Sequence, residues 1–178
     1  MLSRRSRERV CLSEASVLLE SSGWSITMEC SIAADTKRIF HALTVPEHME
    51  TWLSLPCCGS RCGNHASRMP EGFMMVHACD KDRSSTTITG FYSTCRTRKL
   101  AFSWTLGGDA EPARTDVDIR LYGDFDRSTL RLQHSGFQSE EACQWHRNLW
   151  SASLLQLHDL FDPPPGIMAR GFGSHGLH

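Results

Sequence analysis

A chain of 178 residues, 40% hydrophobic and 22% charged, is long enough for one globular domain with a sizeable core, and it holds no run of eighteen apolar residues to span a bilayer. Its formal net charge of -1 removes the basic face that general nucleic-acid binding requires. Eight cysteines would serve four disulfides, but the basic opening MLSRRSRERV leads into no apolar secretory region, so a reduced, soluble, cytoplasmic chain is expected.

Taken in chain order, residues 1–24 carry only weak helical periodicity and read as a flexible extension. Ile26, Met28, Cys30 and Ile32 alternate with polar residues, the period of a half-buried strand. Residues 34–43 place Ile39, Phe40 and Leu43 at helical spacing behind a capping Asp35. A second short helix follows Pro46, with His48, Met49 and Trp52 on its inner side, and residues 55–66 read as a loop. Beyond the loop, FMMVHACD, STTITGFYSTC, KLAFSWTL, TDVDIRLYGD and STLRLQH read as strands divided by turn-forming or charged stretches, which predicts a meandering antiparallel sheet. Leu130, Leu132 and His134 share one face of the last strand, and Gly136 breaks its run. Ser139, followed by Glu140 and Glu141, caps a helix in which Trp145, Leu149, Trp150, Leu154, Leu157 and Phe161 recur at three- and four-residue steps. The result is an apolar side able to close over a sheet. The Pro- and Gly-rich residues 162–178 read as a tail.

Signatures of cofactor chemistry are missing. The sequence contains no phosphate-binding Gly-x-x-x-x-Gly-Lys, no dinucleotide Gly-x-Gly-x-x-Gly and no nucleophile-elbow Gly-x-Ser-x-Gly, so no cofactor is expected. Asp116 and Asp118 share a strand face, where exposed carboxylates ordinarily solubilise the sheet. His77 and His134 lie on strands that can face inward; each reads as a hydrogen-bonded structural histidine, with ligand or proton transfer as the competing role. The segment from Cys57 to His65 brings thiols and an imidazole close together. Its spacing is a poor zinc signature, because adjacent cysteines chelate one ion badly and no second Cys-x-x-Cys pair completes a site. Cys58, Cys62 and His65 are therefore only weak metal candidates, and the default is an ordinary reduced loop.

Several motifs carry a family resemblance. Ile39-Phe40-His41-Ala42-Leu43-Thr44 with Pro46-Glu47 and Trp52, then Gly90 with Leu100, Phe102 and Trp104, then Thr129, Leu130, Leu132, His134, Gly136 and Phe137, and last His146, Trp150, Leu154, Leu157 and Phe161, stand in the order seen in the START-like (SRPBCC) superfamily. The chain resembles that superfamily's activator of heat-shock-protein-90 ATPase homologue-like branch over about residues 25–161. Leu149 stands where the family often has glycine, Glu71-Gly72 replaces a common glycine pair, and Thr94 stands for an acidic residue. The resemblance implies an α+β helix-grip fold: a curved antiparallel sheet wrapped around a long C-terminal helix, with two short helices after the first strand. It makes residues 25–161 the domain, between the 1–24 extension and the 162–178 tail. It also implies a cavity between sheet and helix, for which Trp52, Phe73, Phe102, Trp104, Leu132, His134, Trp150 and Leu154 are the candidate lining residues. The same side chains would make a plain core if they pack against one another. The expected function is binding of a small hydrophobic molecule without specific catalysis. The alternatives are a cochaperone-like module with a chaperone, another protein or a second copy of the chain as partner, and a cyclase- or hydrolase-like enzyme acting on a hydrophobic substrate.

Overall fold

In the computed structural model, residues 16–20, 23–53, 55, 62–79, 84–107, 114–123 and 125–163 are described. Strand β1 (Ser16–Glu20) forms a hairpin with β2 (Gly23–Ile32), and helices α1 (Thr36–Thr44) and α2 (Pro46–Trp52) follow. Strands β3 (Cys62–Met69), β4 (Gly72–Cys79), β5 (Ser84–Arg96), β6 (Lys99–Gly107), β7 (Thr115–Gly123) and β8 (Ser128–Phe137) then meander to the closing helix α3 (Glu140–Phe161). The strands form one antiparallel sheet in the order β1-β2-β8-β7-β6-β5-β4-β3, so the long crossover places the last strand beside β2. This is the helix-grip arrangement expected from the sequence.

The inward face follows the period-two reading. Ile26, Met28, Cys30 and Ile32 of β2 lie beside Leu130, Leu132 and His134 of β8, with Met28 opposite Leu132 and Ile26 opposite His134. Val117, Ile119 and Leu121 continue the layer in β7, and Leu100, Phe102 and Trp104 in β6. Phe73 in β4 packs where Gly90 leaves room in β5, since a Cβ at that glycine would stand 2.3 Å from the Phe73 ring. Helix α3 lays Cys143, His146, Leu149, Trp150, Ser153, Leu154 and Leu157 on this face. Both helix starts are capped as read: Ser139 Oγ accepts from the Ala142 N–H, and Asp35 Oδ1 accepts from the N–H groups of Lys37 and Arg38.

The structure departs from the sequence reading in four places. Residues 62–66, read as loop, are the first part of β3, because pairing with the apolar β4 imposes extended backbone where the side chains give little periodic signal. Strand β1 falls inside the stretch read as an extension. His48 is only half buried, its Nδ1 lying 3.1 Å from that of His41. Finally, β8 does not end at Gly136: Trp24 pairs with Phe137 and Ser25 with Ser135, which leaves Gly136, at φ 93°, as the extra residue of a β-bulge.

Candidate functional site

That bulge builds the site. With His134 inward, strict alternation would turn Gly136 in and Phe137 out. The added residue reverses the alternation, and Phe137 is buried, its ring 4.4 Å from His134 and 4.8 Å from His146. Position 136 takes a positive φ that costs an L side chain strain and glycine little. The Phe137 ring thus forms one wall of a cleft between the ends of β6, β7 and β8 and the first turns of α3. The cleft has a volume of about 470 Å³ and is lined by Trp104, Leu106, Phe137, Ala142, Trp145 and His146, with Thr115 on the sheet side and Gln138, Ser139 and Glu141 at the rim.

Beneath the cleft runs a directed chain of hydrogen bonds. An indole N–H can only donate, so Trp150 Nε1, 2.9 Å from His134 Nδ1, fixes that nitrogen as the acceptor. The single proton of a neutral His134 is then on Nε2, which donates to Thr115 Oγ1 at 2.7 Å. The Thr115 hydroxyl in turn donates to the Trp104 carbonyl at 3.3 Å. Burial, with a smaller contribution from His146, holds His134 well below the usual imidazole range, and at 0% exposure the ring is sealed from solvent. His134 orders the floor of the cleft; both its nitrogens are used.

His146 differs. Its Nδ1 lies 2.8 Å from the Ala142 carbonyl, an acceptor, so Nδ1 carries the proton and Nε2 presents a lone pair. Burial also lowers this imidazole, opposed by the bond to Ala142, so it is neutral at pH 7. Its Nε2 is buried with no hydrogen-bond partner, and the same holds for the Trp104 indole N–H. The two rings stand edge to face with centroids 6.1 Å apart. The Trp145 ring packs edge-on against His146 at 4.8 Å, and that tryptophan is half buried.

Of the eight lining candidates named from the sequence, Trp104 lines this cleft and His134 lies under it. Trp150 stacks 5.2 Å from Trp104 and supports His134 from the helix side. Leu132 and Leu154 are fully buried in the packed layer between β8 and α3. Phe73 and Phe102 pack edge to face at 5.4 Å toward the far end of the sheet, and Trp52 donates its indole N–H to the Ala42 carbonyl at 2.8 Å. Leu149 is fully buried and fills the middle of the interface, so the open space lies at the N-terminal end of α3. Leu106, Phe137, Ala142, Trp145 and His146 were missed as cleft residues. Gly136 was the available signal for Phe137, since a glycine inside a strand pattern marks a bulge.

The other candidates are tied up elsewhere. His77 Nδ1 lies 2.6 Å from Asn64 Oδ1, while the Asn64 amide donates to the Leu53 and Glu50 carbonyls at 3.1 and 3.3 Å; this structural network joins β3 and β4 to the end of α2. His65 is exposed and stands 3.2 Å from Glu50 Oε1. Cys62 pairs with Cys79 in the β3–β4 ladder, whereas Cys57 and Cys58 lie outside the described residues. Among the described residues no group of three or more His, Cys, Asp or Glu side chains converges on a metal position. Asp118 is held by Arg120 at 3.0 Å and Lys99 at 3.8 Å on the outer face of the sheet. No helix among the described residues is long and apolar enough to cross a membrane.

Comparison with known proteins agrees with this fold. The family model for activator of Hsp90 ATPase homolog 1-like protein matches residues 33–162. Among solved structures, protein CV1439 from Chromobacterium violaceum superposes with a TM-score of 0.66 at 15% identity, covering 79% of this chain and 99% of its own. Protein Ms6760 from Mycobacterium smegmatis gives 0.67 at 11% identity, over 86% of this chain and 98% of its own. The Aha1 dimer from Colwellia psychrerythraea gives 0.57 at 17% identity, over 80% and 98%. At these identities the likeness is one of fold. Among curated proteins no match was found.

Proposed function

The chain belongs to the activator of Hsp90 ATPase homolog 1-like family, and from that premise we propose that it is a binding domain that takes a small hydrophobic molecule at the N-terminal end of its closing helix. The observation that carries this reading is the cleft of about 470 Å³ walled by Trp104, Leu106, Phe137, Ala142 and Trp145, in the size range of small-molecule sites and mostly apolar. The rest of the sheet–helix interface is a packed core. Among the described residues no nucleophile stands beside an imidazole placed to take its proton: His134 Nε2 donates to the Thr115 hydroxyl, and the His146 Nε2 lone pair has no hydroxyl or thiol within hydrogen-bond distance. Binding without chemical turnover is the function this arrangement supports. An apolar molecule burying roughly 250 Å² at about 25 cal/mol per Å² gains about 6 kcal/mol as an upper estimate, which corresponds to a Kd in the tens of micromolar.

The test uses N-phenyl-1-naphthylamine, a neutral probe whose emission rises in apolar surroundings. Saturable binding at one site per chain is expected, and Ala142→Phe, which fills the cleft from a half-buried helix position, should abolish it without changing the far-UV spectrum. Absence of saturable binding by the parent protein would end the ligand-binding reading.

A second reading, a protein-interaction module, rests on exposed aromatics. Phe125, at the β7–β8 turn, is 96% exposed, and Phe91 is exposed on the outer face of β5 diagonally across from Met74 of β4. One of the similar folds is described as a dimer. Sedimentation of the parent protein, of Phe125→Ser and of Phe91→Ser would detect self-association through either of these two sites.

A further inference from the structure

Besides Thr115, whose hydroxyl is engaged by His134 and the Trp104 carbonyl, and the polar rim of Gln138, Ser139 and Glu141, the cleft presents two buried polar atoms without partners, and those two are complementary. His146 Nε2 is an acceptor because its other nitrogen gives its proton to the Ala142 carbonyl; Trp104 Nε1–H is a donor by its chemistry. Each lacks a hydrogen-bond partner, on residues that are 8% and 1% exposed and that both line the same cleft. Leaving a buried donor and a buried acceptor unpaired costs free energy, which a ligand able to satisfy both would recover. The two rings meet edge to face with centroids 6.1 Å apart, which brings both groups to the one cleft.

We infer that the cleft selects neutral hydroxylated ligands with an apolar ring or chain body, the hydroxyl proton going to His146 Nε2 and the hydroxyl oxygen accepting the Trp104 indole N–H. A hydroxyl is donor and acceptor at one atom, which this pair demands. A carboxylate offers acceptors only; it would set negative charge against the His146 lone pair with Glu141 at the rim, and no cationic side chain among the described residues lines the cleft. An ammonium offers donors only and would leave the Trp104 N–H opposed. Entry requires the half-buried Trp145 ring, packed against His146, to turn aside, which makes tryptophan emission a reporter of occupancy. This inference rests on the ligand-binding reading above and adds the chemical class.

The experiment compares naphthalene, 2-naphthol and 2-naphthoate by quenching of tryptophan emission in the full chain. Naphthalene is the most hydrophobic neutral member, so apolar burial alone ranks it ahead of 2-naphthol. Two hydrogen bonds to buried partners reverse that order, and 2-naphthol is expected to bind about tenfold more tightly, with 2-naphthoate the weakest. In His146→Phe, which keeps a ring and removes the acceptor, the naphthol-to-naphthalene ratio should fall to about one. If naphthalene binds as tightly as 2-naphthol to the parent protein, or the preference survives in His146→Phe, the hydroxyl assignment is overturned while the apolar cleft stands. Should none of the three bind, the ligand-binding reading falls and takes this inference with it. A second measurement does not depend on the variant folding: the ¹⁵N resonance of His146 Nε2 should shift on saturation with 2-naphthol, and an unchanged resonance under saturating binding refutes the contact.

Discussion

Two histidines of one type, on facing elements with ring centroids 5.1 Å apart, hold different positions because their neighbours differ. Trp150 and Thr115 consume both nitrogens of His134, whereas the helix backbone takes only one of His146. Both stay neutral in the fold because burial disfavours the imidazolium. The consequence for stability has a definite sign. Above an unfolded-state pKa near 6.5 neither state holds the extra proton, and stability is at its full value. As pH falls below 6.5 the unfolded chain takes up protons ahead of the folded chain, and stability declines, by at most about 1.4 kcal/mol per pH unit for each such histidine, until its lowered folded pKa is reached. Urea unfolding should therefore show stability falling between pH 7 and 5.5, and falling less in His146→Phe than in the parent. An identical fall in parent and variant would show that His146 is charged in the fold. The sequence placed His134 correctly on the inner strand face, but not its tautomer, because the donor that sets it comes from another element sixteen residues away.

At the scale of elements, the β8–α3 unit was legible and its most consequential detail was not. Strand alternation, the Ser139 cap and the helical spacing of Trp150, Leu154 and Leu157 all recur in the structure. The bulge at Gly136 reverses the strand's alternation after His134 and delivers Phe137 to the cleft. Gly136→Ala isolates that device. An added Cβ meets only Thr115 Cα, at 3.7 Å, so sterics are mild and the penalty lies in the positive φ. We expect a loss of about 1–3 kcal/mol in denaturant unfolding and weaker binding of N-phenyl-1-naphthylamine as Phe137 shifts. Full stability with unchanged binding would mean that the bulge is not what holds Phe137. Leu149 teaches the opposite lesson. Where the family often has glycine, the leucine is fully buried and fills the space under the helix. Its removal would add a cavity cost of about 2–5 kcal/mol to the helix cost of glycine.

For the molecule as a whole, the family match begins at residue 33, whereas the sheet begins at β1. Strand β1 pairs only with β2, at the opposite edge from β3. A chain lacking residues 1–22 is therefore expected to fold with the cleft intact, its Tm lowered by less than about 10 °C. Exposure of the β2 edge should appear as concentration-dependent self-association in sedimentation. Loss of the cooperative transition would assign β1 to the core of the domain.

The sequence alone determined most of the elements and their inner faces, though not β1, β3 or the face of Phe137, because alternation and helical spacing are local and the burial of apolar side chains enforces them along each segment. The order of those segments gave a meandering antiparallel sheet with a closing helix, and the family resemblance of their motifs implied the helix-grip fold. Tertiary structure decided where the interface is filled and where it is open. Whether Leu149 and Trp150 close the space beneath α3, or Phe137 and Trp145 frame a gap at its end, depends on side chains from several elements meeting at distances no local pattern encodes. The same holds for the unpaired His146 nitrogen and Trp104 N–H: each is an ordinary residue in the sequence, and only the packing of helix against sheet leaves them buried side by side.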